Sequence, residues 1–184
     1  DSSSRLSEAN RRALRRLGEQ GVVRVVATGR SLYSATAVLT ADVPIDYLVI
    51  ASGAGILTWP GRELLVAHEM TRAEARRATG AVQEADLDFM LHHGFPDNHH
   101  FHFFHTGREN PDFVRRRQRY RAFASPWPGA LPAQVTVSQL LAIEPPRPDS
   151  RYRELQRSLP ELNVILTTSP LDHVSRWIEI FPAT

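Results

Sequence analysis

The sequence predicts an α/β fold joined to an α+β region, and two observations carry that reading. Over residues 6–55, stretches of helical and of strand periodicity alternate with short connections, the order of a parallel sheet flanked by helices. After Gly55 this gives way to hairpin signals, isolated helices and a proline-rich stretch. With 184 residues, 42% hydrophobic and 23% charged, the chain can bury a core and hold one domain or two small ones.

The elements follow in order. Leu6, Ala9, Ala13, Leu14 and Leu17 recur at helical spacing with Ser7 placed to cap and Arg11, Arg12, Arg15 and Arg16 on the wet side. Gly21 breaks that helix, and residues 22–27 form a β-branched run suited to a strand buried on both faces. A second helix over about residues 32–39 leads to an apolar strand at 47–51 and the turn Ser52-Gly53-Ala54-Gly55. Residues 56–59 and 63–69, split by Pro60-Gly61, read as a hairpin, and 72–85 as a helix. Residues 89–93 and 101–105 read as strands around Phe95-Pro96-Asp97-Asn98, followed by an arginine-rich helix over 112–123. Residues 125–133, with three prolines and a glycine, read as a linker. A strand at 139–144, a helix at 150–159, and strands at 164–168 and 177–181 complete the chain.

Composition excludes several chemistries. There is no cysteine, so disulfides, thiolate metal sites and cysteine nucleophiles are absent. All 22 basic residues are arginine, which removes a lysine Schiff base and a phosphate-loop lysine but leaves bidentate anion recognition open. No apolar run approaches the roughly 18 residues of a membrane span, and the opening Asp1-Ser2-Ser3-Ser4 lacks the basic-then-apolar order of a signal peptide. A cytoplasmic location without membrane contact is expected.

The string Val25-Val26-Ala27-Thr28-Gly29-Arg30, then a helix and Asp46-Tyr47-Leu48-Val49-Ile50-Ala51-Ser52-Gly53-Ala54, closely resembles the Cof-like, sugar-phosphate phosphatase branch of the haloacid dehalogenase superfamily. Pro96-Asp97-Asn98 and Thr167-Thr168-Ser169-Pro170-Leu171-Asp172 with Trp177-Ile178-Glu179-Ile180 look like that branch's cap, so the resemblance covers nearly the whole chain. It implies a partial Rossmann-like α/β core over residues 1–55, an inserted α+β cap over 56–174, and a strand at 175–184 returning to the core. Thr28 matches the second conserved motif, whose hydroxyl and backbone N–H hold the transferring phosphoryl group. A small donor at the carboxyl end of a parallel strand is where open α/β sheets stabilise anions. Gly29, Arg30, Ser52, Gly53, Asp97, Asn98 and His100 are the implied substrate contacts. Ser52 departs from the asparagine that many relatives carry before Gly-Ala.

The resemblance implies Mg²⁺-dependent hydrolysis of a phosphorylated small metabolite. In that scheme one aspartate attacks phosphorus, a second protonates the leaving oxygen, and Mg²⁺ with a basic residue neutralises charge. The motif carrying both aspartates, Asp-x-Asp-Gly-Thr, does not occur in this sequence, and the third motif, a lysine or arginine shortly after the cap, cannot be present in its usual lysine form. The nucleophile and the metal-binding acids are therefore expected outside the given residues, and the chain by itself is expected to be inactive. The alternative is a non-catalytic anion- or nucleic-acid-binding module.

Three patterns compete for attention. Asp86-Leu87-Asp88 has the aspartate spacing but sits between a helix and a strand without Gly-Thr, and reads as a cap loop. Six of the eight histidines lie between His92 and His105, a density that suggests metal, although strand alternation sends His100 and His102 to one face and His99, Phe101, Phe103 and His105 to the other. A polar cap surface is the favoured reading, and no metal ligand is assigned. Arg115, Arg116, Arg117, Arg119 and Arg121 with Tyr120 and Phe123 could serve nucleic acid, but an amphipathic helix with its arginines in water accounts for them, so no nucleic-acid partner is expected.

Overall fold

The computed structural model describes residues 6–183, and the reading of Asp1 to Ser4 lies outside them. The chain divides into two units, residues 1–67 with 95–97, and residues 68–94 with 98–184.

In the first unit Ser7 accepts a hydrogen bond from the Asn10 N–H at 3.2 Å and starts α1 (Glu8–Glu19). β1 (Val25–Ala27), α2 (Leu32–Thr36) and β2 (Tyr47–Ile50) follow, then a hairpin of β3 (Gly55–Thr58) and β4 (Leu64–Ala67). The sheet order is β1-β2-β3-β4, parallel between β1 and β2 and antiparallel thereafter. Leu48, Ile50 and Leu57 centre its core with Ala35, Val43, Ile45 and Trp59, and Leu6, Leu14 and Val26 pack against it. Burying each large side chain contributes about 2 kcal/mol. Arg24 grips Asp46 where β1 and β2 begin, with its backbone N–H at 2.7 Å from one carboxylate oxygen and guanidinium nitrogens at 2.9 and 2.7 Å.

The second unit holds α3 (Arg72–Glu84), β5 (Asp88–His93), β6 (Phe101–Phe104), α4 (Pro111–Arg119), β7 (Ala124–Pro126), β8 (Val137–Glu144), α5 (Tyr152–Ser158), β9 (Leu162–Thr168) and β10 (Arg176–Pro182). Its six strands run in the order β7-β6-β5-β8-β10-β9. Alternation along the strands divides the apolar residues between two faces. Phe89, Leu91, Leu140, Ala142, Ile178 and Ile180 pack with Ala75, Ala78 and Val82 of α3 and Leu155 of α5. Met90, Leu141, Ile143 and Trp177 pack with Phe113 of α4.

The α/β class is as expected, with parallel and antiparallel strands and several helices. Four details differ from the sequence reading. The run at 22–27 is a strand only over Val25–Ala27, and Val22, Val23 and Val25 are 44, 64 and 53% exposed because β1 ends its sheet among the described residues. The hairpin after Gly55, placed in the cap region by the boundary at 56, pairs with β2 in the first sheet. The last strand, expected to return to the core, instead lies between β8 and β9 in the second sheet. The proline-rich linker begins as β7, parallel to β6.

The charged features also acquire definite places. Asp88 is 3% exposed and accepts from His105 Nδ1 at 2.8 Å, the Thr106 N–H at 2.7 Å and Asn110 Nδ2 at 2.8 Å. Asn110 in turn caps α4 through the Phe113 N–H at 3.3 Å. The aspartate thus ties β5 to the start of α4, a structural task that agrees with setting Asp86-Leu87-Asp88 aside. The arginines of α4 do not all face water: Arg116 lies over Trp177 at 4.6 Å and Tyr120 at 5.4 Å, and Arg117 over Phe103 at 5.1 Å.

Candidate active site

Two turns meet at the carboxyl ends of the parallel strands β1 and β2. The Thr28 N–H donates to the Val49 carbonyl at 2.9 Å, carrying the ladder one step past β1. The chain then turns through Gly29 and Arg30 to Ser31, whose hydroxyl accepts the Ser34 N–H at 3.3 Å and opens α2. The second turn is bound to the first by two backbone bonds, Ala51 N–H to the Arg30 carbonyl at 2.9 Å and Ser52 N–H to the Thr28 carbonyl at 3.3 Å. Thr28, Gly29, Arg30, Ser52 and Gly53 are thereby brought together.

The chemistry of Thr28 is set by one further bond. Its Oγ1 accepts the Arg30 N–H at 3.3 Å, and no described residue accepts its own proton. The hydroxyl is thus held by its lone pair and left to act as a donor, the polarity that a phosphoryl oxygen requires. A Cβ on Gly29 would stand 3.3 Å from Ser52 Oγ, so glycine keeps the two turns in close approach. Arg30 is exposed beside them.

Sequence reasoning missed Ala51. Ala51 and Ser52 have φ of 47° and 54°, followed by Gly53 at 104°, so three consecutive residues are left-handed. Only the glycine announces this conformation in the sequence.

The remaining candidates lie in other segments of the chain. Asp97 is exposed in the segment 95–97. Asn98 belongs to the second unit and is 4% exposed, its carbonyl taken by His92 Nδ1 at 2.9 Å. His100 is half-buried in a file of rings, 4.5 Å from His99, 5.0 Å from Phe123 and 5.9 Å from His93. Burial pushes His92 down to about 3, with the Arg116 charge adding to the effect. Among the described residues no group of three or more His, Asp or Glu side chains could hold a metal ion. The carboxylate oxygens that Mg²⁺ prefers are missing from the Thr28 cluster, so the residues present do not fit that cation.

The profile of haloacid dehalogenase-like hydrolases matches residues 1–123. The chain belongs to that family. Haloacid dehalogenase-like folds also recur among solved structures. A phosphatase of this superfamily from Bacteroides thetaiotaomicron superposes with a TM-score of 0.70 at 16% identity, over 97% of this chain and 60% of the other. A subclass IIB sugar phosphatase gives 0.64 at 14% identity, over 97% and 63%. A protein of Thermotoga maritima gives 0.68 at 17% identity, over 98% and 64%. The haloacid dehalogenase-like chain thus spans about three-fifths of the length of these structures. No curated protein matches it, and no described helix is long and apolar enough to cross a membrane.

Proposed function

We propose that this chain carries the phosphate-binding half of a cytoplasmic, Mg²⁺-dependent phosphatase acting on a phosphorylated small metabolite, a sugar phosphate by analogy with the subclass IIB relative. The observation that carries the reading is Thr28, whose hydroxyl is oriented as a donor at the end of a parallel strand by the Arg30 N–H. In this proposal Thr28 donates to a phosphoryl oxygen, Gly29 admits the oxygen to the backbone, and the exposed Arg30 offsets its charge. Ser52 and Gly53 complete the rim. The second unit takes the role of cap; its His100, and Asp97 from the segment 95–97 of the first unit, are the proposed leaving-group contacts. Asn98 is buried, so its side chain would reach a substrate only if its turn opened.

Chemistry needs an aspartate nucleophile and acids for Mg²⁺, and neither accompanies Thr28 among the described residues. This chain alone is therefore proposed to be inactive. The test is turnover of an aryl phosphate with added Mg²⁺, by this chain and by any longer polypeptide that its gene encodes. The expected result is none from this chain, turnover from the longer form, and about a hundredfold loss of kcat there for Thr28→Val. Turnover by the chain as given would show that the site lies elsewhere. The nucleic-acid alternative is disfavoured because Arg116 and Arg117 are stacked on aromatic rings of the fold.

A further inference from the structure

One face of the second sheet packs Met90, Leu141, Ile143 and Trp177 against Phe113 of α4. Residues two apart along a strand share a face, so His92 of β5, Gln139 of β8 and Glu179 of β10 belong to this apolar face as well. Thr167 of β9, opposite Trp177, completes a polar strip across four adjacent strands. The strip fixes its own hydrogen-bond polarity. Gln139 Nε2 donates to Glu179 at 2.9 Å and Thr167 Oγ1 donates to the same carboxylate at 3.1 Å, which leaves Gln139 Oε1 as an acceptor. His92 lies directly across from Gln139. Its Nδ1 is 2.9 Å from the Asn98 carbonyl, which can only accept, so Nδ1 carries the proton and Nε2 a bare lone pair.

Two sealed atoms on this face have no partner among the described residues. His92 is buried and nothing donates to its Nε2. Arg116 reaches from α4 over the Trp177 ring, and its Nε–H, shut off from solvent, has no acceptor. The two orphans have opposite polarity, and Arg116 is close enough for its charge to bear on His92, yet they do not bond to each other. A buried donor or acceptor left unmet costs its full desolvation penalty, so both call for a group that accepts from Arg116 and donates to His92. A phosphate or carboxylate cannot donate, and an ammonium cannot accept. A hydroxyl does both.

We propose that this face of the second unit is a subsite for a neutral polyol, one hydroxyl of which accepts from Arg116 Nε–H and donates to His92 Nε2 while a neighbouring hydroxyl donates to Gln139 Oε1. Gln139 and Glu179 are half-buried, so the strip opens to solvent at their end. The carboxylates of Asp112 and Glu179 act on Arg116 and oppose a second anionic group on the ligand. The use of this subsite for the leaving group rests on the phosphatase reading above, and on that reading the substrate is the phosphate ester of an otherwise uncharged sugar or sugar alcohol. A single water would satisfy the same two atoms, and the experiment separates it from a polyol.

Nitrogen NMR reads both atoms in the unaltered chain, so the test does not depend on a variant folding. D-glucose, D-mannose, D-ribose and glycerol are titrated singly into isotope-labelled protein without phosphate or metal. At least one should shift the Arg116 Nε–H and the His92 Nε2 together and saturably, in the millimolar range. Arg116→Lys, which keeps the charge but loses that donor, should weaken the His92 response about tenfold. Orthophosphate, titrated separately, should act at Thr28 instead. Silence at both nitrogens across the four polyols, the result if water alone bridges them, overturns the subsite whether or not orthophosphate binds. A His92 response undiminished in Arg116→Lys overturns it too. A polyol response at Arg116 and His92 with none to orthophosphate at Thr28 supports the subsite and counts against the phosphatase reading.

Discussion

His92 shows how one buried side chain gives the fold a pH dependence. It is 5% exposed, its Nδ1 bonded to the Asn98 carbonyl, and its folded value of about 3 lies well below the ordinary 6.5. Between these values the unfolded chain binds a proton that the folded chain refuses. The stabilisation is therefore complete above about pH 6.5, falls as the pH drops, and is exhausted near pH 3. Its loss at about pH 5 is on the order of 2 kcal/mol. Urea midpoints at about pH 7 and pH 5 should show that decline, and His92→Gln should flatten it. Asp88 is a second such position. Asp88→Ala would strand the donors on His105, Thr106 and Asn110, and should cost about 3 kcal/mol in chemical denaturation. At this scale the sequence was informative where the signal was local. Thr28-Gly29-Arg30 could be read directly from the string, whereas the burial of Asp88 depends on Asn110, 22 residues away.

Among the elements, α3 was the most legible and β10 the least in its placement. Apolar spacing marks α3, and its start is fixed by a capping box: Thr71 Oγ1 accepts the Glu74 N–H at 3.2 Å while Glu74 accepts the Thr71 N–H at 2.7 Å. Thr71→Ala should lower stability by about 1 kcal/mol, read as a shift in denaturation midpoint with unchanged slope. β10 is as clear a strand in sequence, yet its sheet could not be read. Its place is set by pairing with β8 and by the bond from Trp177 Nε1 to Asp112 at 2.7 Å, partners 65 residues apart. An apolar alternation specifies that a strand will form and which face is buried, but leaves open which sheet receives it. The hairpin of β3 and β4 was assigned to the wrong region for the same reason.

For the whole molecule, the two units differ in how much they bury. The second has strands closed on both faces, and Phe89, Leu140, Ala142, Ile143, Ile178 and Ile180 are fully buried. The first rests on one cluster of seven buried residues, under a helix that buries none of its own. Hydrogen exchange should accordingly be slowest at amides of β5, β8 and β10 and faster by orders of magnitude at β1 and β2. Uniform protection across both sheets would show that the units unfold only together. The turns that hold Thr28 and Ser52 belong to the less buried unit, so their geometry must be secured locally.

Ala51 shows how that is done. A left-handed backbone at a residue with a Cβ is held at a cost of order 1 kcal/mol, so surrounding bonds must enforce it. Here the Arg30 carbonyl fixes its N–H and the Ala54 N–H is bonded to its carbonyl, while its side chain is 2% exposed. A turn held this way has little freedom to relax around whichever charge arrives. Its dipoles are set during folding, and the reorganisation energy that water would have to supply at each encounter is already spent.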